Sequence, residues 1–177
     1  GNGHEIVDSE EAADAIVINT CCFIHDAKEE SVNTILEMAE YKKTGTCKIL
    51  IVTGCMAQRY KEEITEEIPE VDAVLGTTSY GDIVKALNEA EAGHVFQEFK
   101  DINALPEDSG RRVITTGGHF GYLKIAEGCD KHCTYCIIPS LRGKFRSVPE
   151  ERLLKQAEYM ASQGVRELIL VAQETTV

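Results

Sequence analysis

Along the first ninety residues, short apolar runs alternate with longer amphipathic stretches. AIVIN at Ala15–Asn19, KILIVTG at Lys48–Gly54 and DAVLG at Asp72–Gly76 have the length and apolar content of buried strands. Between the first two lies DAKEESVNTILEMAEYKK, with Val32, Ile35, Leu36 and Ala39 at i, i+3, i+4 and i+7, which predicts an amphipathic helix. Asp26 followed by Glu29 has the spacing of a capping box at its start. AQRYKEEITEEIPE predicts a second helix ending near Pro69, and YGDIVKALNEAEAG a third, stopped by Gly93. Repeated β-α units of this length predict a parallel sheet with helices on both faces, the α/β class.

The rhythm fails over residues 94–118, where Pro, Gly and mixed charge predict a linker. It resumes with a strand at Tyr122–Ile125, a cysteine-bearing loop and the helix SVPEERLLKQAEYMASQG. That helix carries the S-x-x-E pattern of Ser147 and Glu150, Pro149 in its first turn and Gly164 at its close. VRELILV then predicts the next strand. The expected layout is a first domain over 1–93, a linker over 94–118 and the opening β-α-β of a second domain over 119–177. A single β-α-β cannot close a barrel. The chain is therefore expected to be a piece of a longer protein, truncated at both ends.

Charge supports a division into two units. Residues 1–100 hold 8 Lys and Arg against 20 Asp and Glu, while residues 101–177 hold 10 of each. An acidic first unit is a poor partner for a phosphate backbone; it suits solubility or a basic partner. The acidic N-terminus lacks the layout of a signal peptide, and no apolar run reaches the length of a membrane span. A soluble cytoplasmic protein with no membrane partner is expected.

The seven cysteines, Cys21, Cys22, Cys47, Cys55, Cys129, Cys133 and Cys136, are odd in number and carry no secretory context. Metal or redox chemistry suits them better than a disulfide framework. Three of them fall within EGCDKHCTYC, spaced C-x3-C-x2-C. Structural zinc takes four ligands, usually as two separated pairs, and His132 could complete a set only from beside Cys133. A redox C-x2-C has no need of the third thiol. An iron–sulfur cluster is normally held by four thiolates, so three would leave one iron open to a small-molecule chelator. Iron–sulfur, zinc and incidental cysteines all remain open on spacing alone.

Cys21 and Cys55 each follow a predicted strand. Neighbouring parallel strands lie about 4.8 Å apart, so these two thiols would face one crevice at the carboxyl edge of the sheet. A cluster there needs a further ligand from elsewhere. Cys22, adjacent to Cys21 and pointing differently, reads as a small packed hydrophobe, and Cys47, at the opposite strand end, as structural.

GYLKIAEGCDKHCTYCIIPSLRG, together with AQETT, INTCCFI and IVTGCMAQRY, resembles the radical S-adenosyl-L-methionine (SAM) methylthiotransferase family over essentially the whole chain. The triplet alone is shared by a large superfamily; its combination with NTC and TGC is specific. INTC-x-FI and IIPSLRG look more like the branch acting on a ribosomal-protein aspartate than the branch acting on a tRNA adenosine.

The resemblance implies an N-terminal parallel-sheet methylthiotransferase domain followed by the start of a radical-SAM partial TIM barrel. It implies that Cys129, Cys133 and Cys136 hold a 4Fe–4S cluster whose open iron binds SAM. Reductive cleavage of SAM would then give a radical that abstracts hydrogen from an unactivated carbon. Tyr135 and Gln173 would contact the cofactor, against the simpler readings of a loop-packing ring and a strand-end polar residue. Arg142 suits a surface or loop-anchoring charge better than a substrate contact.

Cys21 and Cys55 would hold an auxiliary 4Fe–4S cluster that carries the inserted sulfur, its third ligand lying in a segment this chain lacks. Cys22 stands where the family often has glycine, which leaves it as an alternative ligand. Val148 stands where arginine is typical. Implied partners are a small-subunit ribosomal protein substrate and an electron donor, with tRNA as substrate only in the other branch. The 177 residues alone are expected to be inactive. The reading from another class is a non-catalytic metal- or cluster-binding module.

Overall fold

The computed structural model describes residues 3–105 and 112–176. The chain divides into two compact units, Gly1–Pro106 and Glu107–Val177. In the first unit the strands β1 (Ala15–Thr20), β2 (Ile49–Gly54), β3 (Ala73–Leu75) and β4 (Phe96–Glu98) form an all-parallel sheet in the order β1-β2-β3-β4. The connecting helices are α1 (His25–Thr44), α2 (Cys55–Tyr60), α3 (Glu62–Glu67) and α4 (Ile83–Glu91).

Every residue of β2 is buried, so both faces of the sheet centre are covered. Ile49 and Ile51 pack with Ala73, Leu75 and Ala86 on the α4 face. Leu50 and Val52 alternate to the opposite face and are equally inaccessible. Such two-sided burial is what an unbroken ILIV run encodes in a parallel sheet.

Several expectations need correction. Phe96–Glu98 was expected within the linker, yet it is the fourth strand, paired in parallel with β3. Three residues are too few to show a period of their own, and the sheet edge supplies the partner. Residues 106–111 of that linker lie outside the described residues. Helix α1 begins after Ile24 with no side-chain cap, and Asp26 lies inside its first turn, where a carboxylate favours the N-terminal dipole. Its buried stripe is Ser31, Ile35 and Ala39, while Leu36 is 48% exposed.

The stripe shifts because the Ser31 hydroxyl is used: it accepts from the Cys21 N–H at 3.0 Å and donates to the Cys21 carbonyl at 2.9 Å. The expected second helix is two short ones, broken at Lys61 where φ is +40°. The far end of α1 is tied to the sheet through Asp72. Its Oδ2 accepts from Lys42 Nζ at 2.5 Å and from the Leu50 N–H at 2.7 Å.

In the second unit β5 (Phe120–Lys124) pairs in parallel with β8 (Glu167–Val171), joined through α6 (Glu150–Ser162). This is the β-α-β expected from the sequence. A Cβ on Gly121 would lie 2.4 Å from Met160 Cε, so the glycine lets α6 approach β5 closely. Between β5 and α6 come the two-residue strand β6 (Ala126–Glu127), the helix α5 (Ile138–Arg142) and β7 (Arg146–Ser147), with β6 and β7 antiparallel. The expected Ser147 cap does not form: Ser147 pairs with Ala126 in that ladder, and Pro149 is the residue before the helix. Gly164 does close α6, with φ +94°. Among the described residues no helix is long and apolar enough to cross a membrane.

Candidate metal centres

The cysteine loop of the second unit leaves β6 at Gly128 and returns through β7. Gly128 has φ +74°, and a Cβ there would lie 2.2 Å from the Lys144 carbonyl oxygen. The neck of the loop is closed by backbone contacts that only glycine admits. The Cys129 N–H donates to the Gly143 carbonyl at 3.2 Å, and Asp130 Oδ1 accepts from the Phe145 N–H at 3.0 Å. Within the loop the Cys136 N–H donates to the Cys133 carbonyl at 3.0 Å, forming a tight turn over the C-x2-C segment.

A buried carboxylate underlies this neck. Glu127 is 4% exposed and accepts from Lys124 Nζ on one side. On the other side its Oε2 lies 3.8 Å from Arg142 Nη1. A buried carboxylate is tolerated only when paired, and these two cations link β5, β6 and the end of α5. Arg142 is therefore a loop anchor.

The three cysteines differ in access: Cys129 is buried, Cys136 half-buried and Cys133 exposed. The Tyr135 ring is 91% exposed, so it does not pack the loop. Gln173 lies two residues beyond β8, and its Oε1 accepts from the Gly128 N–H at 2.9 Å. The sequence reading of Gln173 as a cofactor contact missed this bond.

At the other candidate site, β1 and β2 run in register to their ends, with Thr20 opposite Gly54. Cys21 and Cys55 are the next residues on each chain, as the strand reading required. Gly54 has φ +99°, and a Cβ there would lie 2.4 Å from the Thr20 carbonyl oxygen. The strand ends can meet only because that position is glycine.

Cys55 is buried, Cys21 half-buried and held through its backbone by Ser31, and Cys22 buried. Burial pushes the Cys22 thiol up from its ordinary pKa, and the nearby Cys55 and Cys21 thiols add to the rise. The Arg59 guanidinium, hydrogen-bonded to Cys22, opposes it. Cys22 is thus buried as expected, close enough to Cys55 and Cys21 to feel their charge. Cys47 is separate: its Sγ contacts the Ile49 carbonyl at 3.3 Å, and burial raises its pKa.

None of the seven cysteines forms a disulfide. Among the described residues no set of three or more His, Cys, Asp or Glu is gathered closely enough for one metal ion. The donor chemistry nevertheless fits clusters. Each locus offers thiols held outside any disulfide and close to a strand end, and a cluster spreads its thiolates over several irons rather than one. Sequence reasoning missed Glu127, Ser31 and Arg59. A glycine immediately before a cysteine, in both EGC and TGC, was the available sign of a constrained backbone at each locus.

Comparison with known proteins joins the two loci. Residues 1–76 match the family described as "Uncharacterized protein family UPF0004", and residues 123–177 match the radical SAM superfamily. A protein of Lachnoclostridium phytofermentans named ribosomal protein uS12 methylthiotransferase RimO is 63% identical over 175 residues, covering 99% of this chain and 40% of that protein. Proteins of the same name from Clostridioides difficile and from Clostridium botulinum strain Eklund 17B are 50% and 49% identical, over 98% and 99% of this chain. The chain spans about two fifths of the length of these relatives, 39% to 40%. A first region of one family followed by a radical-SAM region defines the class. This chain carries both regions and is similar along nearly all of its length to proteins named as methylthiotransferases of ribosomal protein uS12.

Proposed function

We propose that the whole protein carrying this chain is a methylthiotransferase acting on the β-carbon of an aspartate in a small-subunit ribosomal protein. Its relatives are named for uS12, and the observation that carries the reading is the coexistence of two thiol loci on one chain. Cys129, Cys133 and Cys136 would hold the SAM-binding 4Fe–4S cluster. Cys21 and Cys55 would hold part of the ligand set of an auxiliary one. When bound, the clusters and SAM supply one-electron cleavage of SAM, hydrogen abstraction from an unactivated carbon, and sulfur for insertion.

The chain's own residues bind and orient. The Gly128 turn and the Glu127 ion pairs fix the neck from which Cys129 projects. The exposed Cys133 and Tyr135 leave the outer side of the loop open to a small molecule. Ser31 fixes the backbone from which Cys21 projects, and Gly54 brings Cys55 alongside it. On this reading the unit Gly1–Pro106 delivers sulfur and Glu107–Val177 begins the SAM-binding barrel. The reaction requires an electron donor, and a ribosomal substrate places the protein in the cytoplasm.

The test is anaerobic reconstitution of the full-length protein, followed by parallel reactions with purified uS12 and tRNA. About two 4Fe–4S clusters per chain, SAM cleavage on reduction and a mass gain on uS12 alone are expected. Stoichiometric zinc without SAM cleavage would overturn the enzyme reading, and a mass gain on tRNA alone the substrate.

A further inference from the structure

We propose that Gln173 is a positioning residue for the cysteine loop, fixing the 127–128 peptide plane just before Cys129. Three observations carry this. Gly128 is buried, so its N–H needs a partner within the protein, and leaving it unpaired costs about 1–3 kcal/mol. The β6–β7 ladder ends at Glu127 opposite Arg146, so the backbone ladder does not reach that N–H. The carboxamide oxygen of Gln173 takes it at 2.9 Å.

Register explains the reach. β5 and β8 pair as far as Lys124 and Val171, and the Ile125 N–H then donates to the Val171 carbonyl at 3.0 Å. The chain beyond β8 therefore runs beside the chain entering the loop, and Gln173 arrives opposite Gly128. The Lys131–Glu174 ion pair, at 3.6 Å, continues the same contact one residue further on.

Glycine is what makes this side chain matter. At φ +74° the Gly128 backbone has no Cβ to bar neighbouring conformations, so sterics alone do not fix the 127–128 peptide. The Gln173 bond does fix it. The next peptide, 128–129, is held by the Cys129 N–H bond to the Gly143 carbonyl, so the two bonds together set the backbone that presents the Cys129 thiol. With Oε1 on Gly128, Gln173 uses one of the two lone pairs of its carbonyl oxygen within the protein. The inference deepens the cluster reading above and rests on it for its iron arm.

The test uses the full-length protein with Gln173→Leu, which removes the acceptor, and Gln173→Glu, which keeps an oxygen acceptor at the same reach. Hydrogen exchange of the Gly128 amide in the metal-free protein should rise about tenfold in Gln173→Leu and stay within about twofold of wild type in Gln173→Glu, with exchange in α6 unchanged as the control for folding. In the iron-loaded protein, release of iron to a chelator should be about fivefold faster in Gln173→Leu, with a broadened electron paramagnetic resonance signal, and restored in Gln173→Glu. Wild-type exchange at Gly128 in Gln173→Leu, or no restoration by Gln173→Glu, overturns the proposal. If wild type takes up no iron at this loop, the cluster reading fails, and the exchange arm still decides the role of Gln173.

Discussion

The two thiol loci are built in opposite ways. In the first unit, Cys55 and Cys22 are buried at the carboxyl end of a sheet packed on both faces, where strand register sets Cys55 and a serine holds the Cys21 backbone. In the second unit, the thiols lie on a loop fixed at its neck and by one internal turn, with Cys129 buried and Cys133 and Tyr135 in solvent. A locus embedded in a core has its thiol positions determined by packing. A locus on a loop must have its rigidity supplied by specific hydrogen bonds, here from Gln173 and the Glu127 ion pairs. The difference suits the proposed roles: a group that carries sulfur is sheltered, and one that binds a small molecule is open.

The largest expected effect separates the loci outright. In the full-length protein, Cys129→Ser, Cys133→Ser or Cys136→Ser should each abolish one cluster's worth of iron, and Cys55→Ser the other, by iron and sulfide analysis. Loss of both from any single change would show that the loci are not independent.

Next in size is packing. Ile51→Ala, at a fully buried site, should destabilise the first unit by about 2–5 kcal/mol in denaturant titration and leave iron at the loop unchanged. Smaller effects are expected from Gly54→Ala and Gly128→Ala, about 1–3 kcal/mol each from the forced left-handed backbone, with more where the carbonyl contacts cannot relax. Each should impair iron uptake at its own locus only.

The smallest effect concerns reactivity. Cys133 should react first with a thiol reagent in the metal-free protein, while Cys47, buried with its thiol pKa raised, should react slowly. The sign for stability follows from the same shift. The folded state holds the Cys47 proton more tightly, so its contribution is complete below the ordinary thiol pKa, about 8.5, and declines as pH rises through the elevated folded value. Cys47→Ala should flatten that decline in denaturant titrations above neutral pH.

Much of the fold was legible because its strands carry their own signal. The ILIV run predicts two-sided burial, and Ile49–Gly54 is buried throughout. Phe96–Glu98 was not legible, because a three-residue edge strand depends on a partner distant in sequence. Cap signals at Asp26 and Ser147 were overridden by other uses of the chain near them. Ser147 is taken by the β6–β7 ladder, and α1 starts without a side-chain cap.

The sequence by itself determined which residues carry chemistry: the C-x3-C-x2-C triplet, the strand-end cysteines Cys21 and Cys55, and the alternation of strand and helix that sets them at strand ends. Local spacing and periodicity suffice for those. Only the tertiary structure decided what holds them. Gln173 meets Gly128 across 45 residues, Ser31 meets Cys21 across 10, and Arg59 meets the buried Cys22. Such pairings arise from strand register and from the need of each buried polar group for a partner, neither of which a linear pattern records.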